Sequence, residues 1–266
     1  MKFIIPLAVP HSTALFYCSI MLCILSLCLY ANSLGGEFIG DDMVLIGQNQ
    51  TVQDISWDAV TNLFGRSFFD VPYAADQRVS LLDHYYRPLT MVSYLIDYSL
   101  WHLNPFGYHV HNILLHALSG IFLLWFVYGL TSHCPLACAN ATLFIVHPLQ
   151  SVHIASLSGR TDLLVVVFIL GGLLAYHHAQ HTCSVLRKNV LMGVVIISYL
   201  GALFSKENGI MFGGLIVLYD ICFSRCRPGG SWLKQGMTYG TLAAAVVLYG
   251  LFRSRAFGGF LGIDCN

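Results

Sequence analysis

Seven stretches of this chain, 13–33, 109–130, 136–156, 163–179, 190–205, 208–223 and 237–252, are predominantly apolar, and short polar turns separate most of them. A helix that crosses the hydrocarbon of a bilayer needs roughly 20 mostly apolar residues, so the longer stretches qualify alone and the shorter ones need neighbours. Lipid offers the backbone no hydrogen-bond partner, which leaves helices as the expected structure. The first stretch has a longer apolar run than the roughly 7–15 residues of a cleaved leader, and it reads as a retained anchor. A further stretch, 89–103, is apolar but short, and it contains Asp97. Burying that carboxylate at mid-bilayer would cost roughly 2.5–3.5 kcal/mol. The expectation is therefore a helix at the membrane surface, its tyrosines and Trp101 at headgroup level, stopped by the Asn104-Pro105-Phe106-Gly107 turn.

Composition agrees with the pattern. Of 266 residues, 56% are hydrophobic and 10% charged, against about 25% charged in a soluble domain. Mean hydropathy is +0.68. The 13 basic residues balance the 13 acidic ones, so the chain has no basic excess of the kind nucleic-acid binding needs. These features describe an all-α polytopic membrane protein with about seven transmembrane helices.

Charge then orients the spans. Arg187 and Lys188 lie in one short loop, and Arg225, Arg227 and Lys234 in another. Both loops are expected in the cytosol, because basic loops are retained there. Counting back places the N-terminus in the cytosol and the long loop at about 34–108 on the opposite side. That loop holds nine acidic residues and three arginines.

The nine cysteines add little. Cys18, Cys23 and Cys28 lie inside the first apolar stretch, and none occurs between Cys28 and Cys134. A cysteine in such a place behaves as a small hydrophobe. The Cys134/Cys138 and Cys222/Cys226 pairs lack the further ligands of a zinc site. His177, His178 and His181 cluster at the expected cytosolic end, away from the acids. Asn49-Gln50-Thr51 is a glycosylation sequon in the long loop, and Asn140-Ala141-Thr142 falls near the cytosolic end of a span.

The remaining charges gather in four clusters, all on the side of the long loop. Asp41 and Asp42 follow the first span. Asp83 to Thr90 precedes the surface helix and includes Arg87. His147 to Leu164 covers one turn and includes His153, Arg160 and Asp162. Phe204 to Ile210 covers another, with Lys206 and Glu207. Each has a plain structural reading: Gly159 and Gly209 as turn residues, Arg160 paired with Asp162, Lys206 paired with Glu207, Arg87 as a helix start. Together they place acids and bases at one membrane face, where ionisable groups mark functional sites. Two carboxylates can supply a general base or hold a divalent cation through oxygen. Arginine and lysine at headgroup depth can bind phosphate. A base beside a phosphate clamp suits a transferase whose donor is a phosphate-linked lipid.

The segments "FIGDDMVLI", "YYRPLTMVSYLIDYSLWHLNPFGYHVHNILLH", "LFIVHPLQSVHIASLSGRTDLL" and "LFSKENGI" resemble the transmembrane and tetratricopeptide-repeat-containing O-mannosyltransferases, a family of the multispanning GT-C fold of the endoplasmic reticulum. The resemblance runs from about 38 to 220, in order. It implies transfer of mannose from dolichyl-phosphate mannose to Ser or Thr hydroxyls of secretory-pathway proteins, with cadherin-type acceptors. It also implies a catalytic acid in the first lumenal loop, which falls on Asp42 or Asp41. Arg87, Arg160 and Lys206 then become donor-phosphate ligands, supported by Asp162, Glu207 and His147. Members of the family continue into lumenal tetratricopeptide repeats. No 34-residue self-similarity occurs in 1–266, so the chain is expected to be an N-terminal part of the transmembrane domain without the repeats. The competing readings are a transporter and a non-catalytic membrane scaffold. A transporter would show internal repeats and charges along its helices, and here the charges sit at one end.

Overall fold

The computed structural model describes residues 11–69, 85–223 and 232–257. Asp83, Arg225, Arg227 and Cys226 lie outside the described residues, as does the side chain of Lys234. Every regular element among the described residues is helical, so the chain is an all-α polytopic membrane protein.

The first helix, α1 (His11–Tyr30), runs into a 3₁₀ turn (Ala31–Gly35). A wide helical turn (Met43–Gly47) and two short helices, α2 (Gln50–Gln53) and α3 (Trp57–Leu63), follow. Next come α4 (Pro88–Trp101) and α5 (Pro105–Thr131). Asn104 caps α5 by accepting from the Phe106 N–H, and Pro105 opens it. This is the favoured chemistry for a helix start, and it carries the helix several residues beyond the expected 109–130.

The expected span 136–156 is broken. Helix α6 (Cys134–Val146) stops before His147-Pro148, and α7 (Gln150–Ala155) is a separate turn and a half. A proline pushes its predecessor out of helical geometry, and His147 is extended, with ψ 123°. At 1.5 Å per residue α6 is about 20 Å long, short of the roughly 30 Å hydrocarbon core. The remaining helices are α8 (Arg160–His181), α9 (Val185–Ser205), α10 (Met211–Phe223) and α11 (Trp232–Ala256). Among the described residues, four helical segments combine the length and apolarity to cross a membrane: Ser12–Gly35, Pro105–Thr131, Arg160–His181 and Val185–Ser205.

Helix α5 is the spine, packed against α1, α6 and α8, and α8 packs in turn against α9. One core joins α8 to α11 around Tyr176, Tyr199, Phe212 and Tyr219. A second lies under the long loop, where Leu45, Ile46, Val52 and Leu63 meet Tyr94 of α4 and Tyr108 of α5. A third seats α1 on α5 and α6 through Leu15, Leu22, Leu124 and Ala141. Asp220, buried in α10, accepts from the Tyr176 hydroxyl at 2.9 Å and the Tyr239 hydroxyl at 2.8 Å. These bonds tie α8, α10 and α11 together and answer the cost of an acid in an apolar helix.

Candidate active site

The segment after α1 doubles back at Gly40, whose φ of +59° lies in the left-handed region open to glycine. The next turn lays Leu45 and Ile46 into the second core and takes Asp42 in with them. Asp42 is 4% exposed, whereas Asp41 remains on the surface. Each Asp42 oxygen accepts one backbone N–H, from Ser158 at 2.8 Å and from Leu157 at 3.3 Å. Loss of hydration raises the Asp42 pKa above the usual carboxylate range, and the charge of Asp41 adds to the rise. The backbone donors from Ser158, Leu157 and Ile39 oppose it without cancelling it.

The loop that supplies those donors is held from three sides. Asn112 of α5 donates to the Ser156 carbonyl at 3.1 Å, and Tyr94 of α4 donates to the Leu157 carbonyl at 2.9 Å. Arg160, at the start of α8, is 1% exposed, and each of its guanidinium nitrogens has a partner. Its Nε donates to Asn112 Oδ1 and one Nη to the Tyr108 carbonyl, both at 2.8 Å, and its other Nη pairs with Asp97. Asp97 also meets Nδ1 of His111.

One expected pairing is corrected: Arg160 does not pair with Asp162, and each of its guanidinium nitrogens bonds elsewhere in the protein. Asp97 is 1% exposed and is compensated by Arg160 and His111. Helix α4 therefore docks against α2, α5 and α9.

A second ionic group surrounds the α9–α10 turn. Lys206 leaves α9 in extended geometry, and its Nζ donates to both Asp162 oxygens, at 2.6 and 2.7 Å. Glu207 accepts from the Tyr86 N–H at 3.2 Å and from Arg87 Nη2 at 3.0 Å. The Arg87 guanidinium lies over the Tyr85 ring at 4.4 Å. The neighbours in sequence, Lys206 and Glu207, thus take partners from other elements rather than each other. His153 Nδ1 lies 3.5 Å from Asp162. The side chains of Lys206, Asp162 and Glu207 keep 21%, 31% and 25% of their surface, against 1% for Arg160. Helix α4 joins the two groups: Thr90 donates to the Ser205 carbonyl at 3.1 Å, one turn from Tyr94.

Gly209 makes that turn possible. A Cβ there would meet the Ala202 carbonyl carbon and oxygen at 2.4 Å. Gly209→Ala is expected to lower stability by about 1–3 kcal/mol, as overpacking does. Thermal unfolding in detergent measures this; an unchanged midpoint would show that the turn is not held so closely.

Two residues singled out in the sequence stand apart from these groups. His147 is exposed and only accepts from the Leu149 N–H at 3.3 Å. Asn49 caps α2 by accepting from the Thr51 and Val52 N–H groups and is 2% exposed, so a glycan on its Nδ2 would have to open the surrounding packing. Among the described residues, no group of three His, Cys, Asp or Glu side chains is placed to hold a metal ion.

No family model matches the chain, and no solved structure matches it. Curated proteins do. The chain is 31% identical over 231 residues to mouse protein O-mannosyl-transferase TMTC4, covering 80% of the chain and 30% of that protein. It is 30% identical over 210 residues to a Caenorhabditis elegans protein O-mannosyl-transferase, covering 76% and 28%. Human protein O-mannosyl-transferase TMTC1 is 29% identical over 202 residues, covering 72% and 22%. Over most of its length the chain is similar to these protein O-mannosyl-transferases. It spans less than a third of the length of these relatives.

The residues of this site that sequence reasoning missed are Asp97, Asn112, Tyr94 and His109. Asn112 and His109 carried a signal, being polar groups inside an apolar stretch. His109 is 2% exposed, and neither ring nitrogen has a partner among the described residues. It lies against Gly36, just ahead of the acid segment.

Proposed function

We propose that this chain carries the donor-side catalytic end of a protein O-mannosyltransferase. The reaction moves mannose from dolichyl-phosphate mannose to Ser or Thr hydroxyls of secretory-pathway proteins, cadherin-type domains among them. The setting is the endoplasmic reticulum membrane, with the N-terminus cytosolic and the acid end lumenal. The observation that carries the reading is Asp42: a buried carboxylate just past the anchor helix, fixed by two backbone donors, at the same end of the bundle as the partly exposed Lys206 and the Glu207-paired Arg87. The relatives' names support it.

The chemistry follows from the groups present. Each Asp42 oxygen accepts one N–H, which leaves lone pairs to take a proton. Asp42 removes the proton of the acceptor hydroxyl, and the hydroxyl oxygen bonds to mannose C1 from the face opposite the phosphate. The bond from C1 to the phosphate oxygen breaks, its electron pair leaves with dolichyl phosphate, and the configuration inverts. Lys206 and Arg87 sit where they can meet the leaving phosphate by trading a carboxylate partner for it. Preorganised cations at developing charge typically contribute several kcal/mol to a barrier. Arg160 serves this site by positioning the loop that holds Asp42.

The pH profile tests the assignment. A base must be deprotonated to act, and burial raises the Asp42 pKa. The rate should therefore fall on the acid side with a midpoint above the ordinary carboxylate value of about 4. A midpoint at that ordinary value, or no acid limb, would remove Asp42 from the role and leave exposed Asp41 as the better candidate.

A further inference from the structure

At the end of the bundle opposite the acids, three thiols converge. Cys18 lies in the first half of α1, and Cys134 and Cys138 are one turn apart at the start of α6. The far ends of the same two helices meet near the acid end, where Tyr30 donates to the Ile145 carbonyl at 3.1 Å. Cys18 Sγ is 2.7 Å from Cys138 Sγ, and Cys134 Sγ is 3.9 Å from Cys138 Sγ. Cys23 and Cys28, on the same helix as Cys18, form no thiol contact among the described residues. Leu15, Leu22, Leu124, Ala137 and Ala141 line the site.

We propose that Cys18 and Cys138 are an oxidisable pair, a redox modification site that joins α1 to α6. A disulfide has a sulfur separation of about 2.05 Å, so closure requires an approach of roughly 0.7 Å. The product carries neither charge nor proton, which suits an apolar surround. The co-reactant is a peroxide. One thiolate sulfur takes OH from hydrogen peroxide, releases hydroxide and becomes a sulfenic acid. The second sulfur then attacks the first, its proton leaves with the hydroxyl as water, and the disulfide remains. Two thiols lose two electrons and two protons, and one peroxide becomes two waters. Cys134, within reach of Cys138, supplies a third thiol for exchange. Oxidation fastens α1, whose other end leads directly into the segment carrying Asp42.

Peptide mapping of the whole chain tests this. The reduced protein, in detergent, is treated with hydrogen peroxide, its free thiols are alkylated, and the digest is analysed by mass spectrometry. The expected product is a Cys18–Cys138 linked peptide, lost on reduction with dithiothreitol, absent from Cys18→Ser and retained in Cys134→Ser. Mixing isotopically heavy and light chains separates links within a chain from links between chains. Full alkylation of Cys18 and Cys138 after peroxide would overturn the proposal. So would a link confined to Cys134–Cys138, or one that joins heavy to light chains. The mapping of the unsubstituted chain decides the matter even if Cys18→Ser does not fold.

Discussion

Asp42→Asn is expected to lower mannosyl transfer by about 10²–10⁴-fold, the usual contribution of a general base. The substitution keeps the shape and can still accept one N–H from the 157–158 loop, so the fold should persist while the base is lost. The neighbouring Asp41→Asn should cost far less, because Asp41 is exposed and is not held by that loop. Rates of transfer to a fixed acceptor, with expression and thermal midpoint matched, separate the two. Equal loss from both variants would mean that charge in the segment matters more than the placement of one oxygen. A greater loss from Asp41→Asn would reverse the assignment.

The second large effect is on stability. Removing one member of a buried ion pair leaves the other charge without compensation and costs about 3–5 kcal/mol. Arg160→Met should do most of this to Asp97, which is 1% exposed and keeps only His111, while also taking a donor from the Tyr108 carbonyl and Asn112 Oδ1. The double variant Asp97→Asn/Arg160→Met removes both charges and should recover a large part of the loss. Thermal unfolding of the four proteins closes the cycle. If the double variant loses the sum of the two single losses, the residues do not act as a pair.

The helical membrane class was readable because an apolar run near 20 residues matches the thickness of the hydrocarbon core when coiled as a helix. Helices α5 and α9 begin ahead of the expected 109–130 and 190–205, because Asn104 and Ser184 cap them and a hydropathy window does not register caps. The 136–156 span misled because hydropathy ignores geometry: Pro148 splits an apolar stretch that a window average treats as continuous. The clusters around Asp42, Arg87 and Lys206 were legible because charge in an apolar chain is conspicuous. Their pairings were not. Arg160 with Asp97, Lys206 with Asp162 and Arg87 with Glu207 lie 63, 44 and 120 residues apart in sequence, and local spacing does not encode such contacts. Asp97 was judged by its cost alone, although a cation on a different helix offsets that cost. Cys18 looked like filler for the same reason, since its partner is 120 residues away.

The central claim is that the Asp42 site transfers mannose, and a transfer assay tests it most directly. Microsomes expressing this chain, and a form extended through any downstream sequence, receive labelled dolichyl-phosphate mannose and cadherin-domain acceptors. The account predicts label on acceptor Ser or Thr residues with the extended form at least, lost when Asp42 is replaced by Asn. No label from either form, with expression and lumenal placement of the first loop verified, would contradict it and favour a scaffold or transporter.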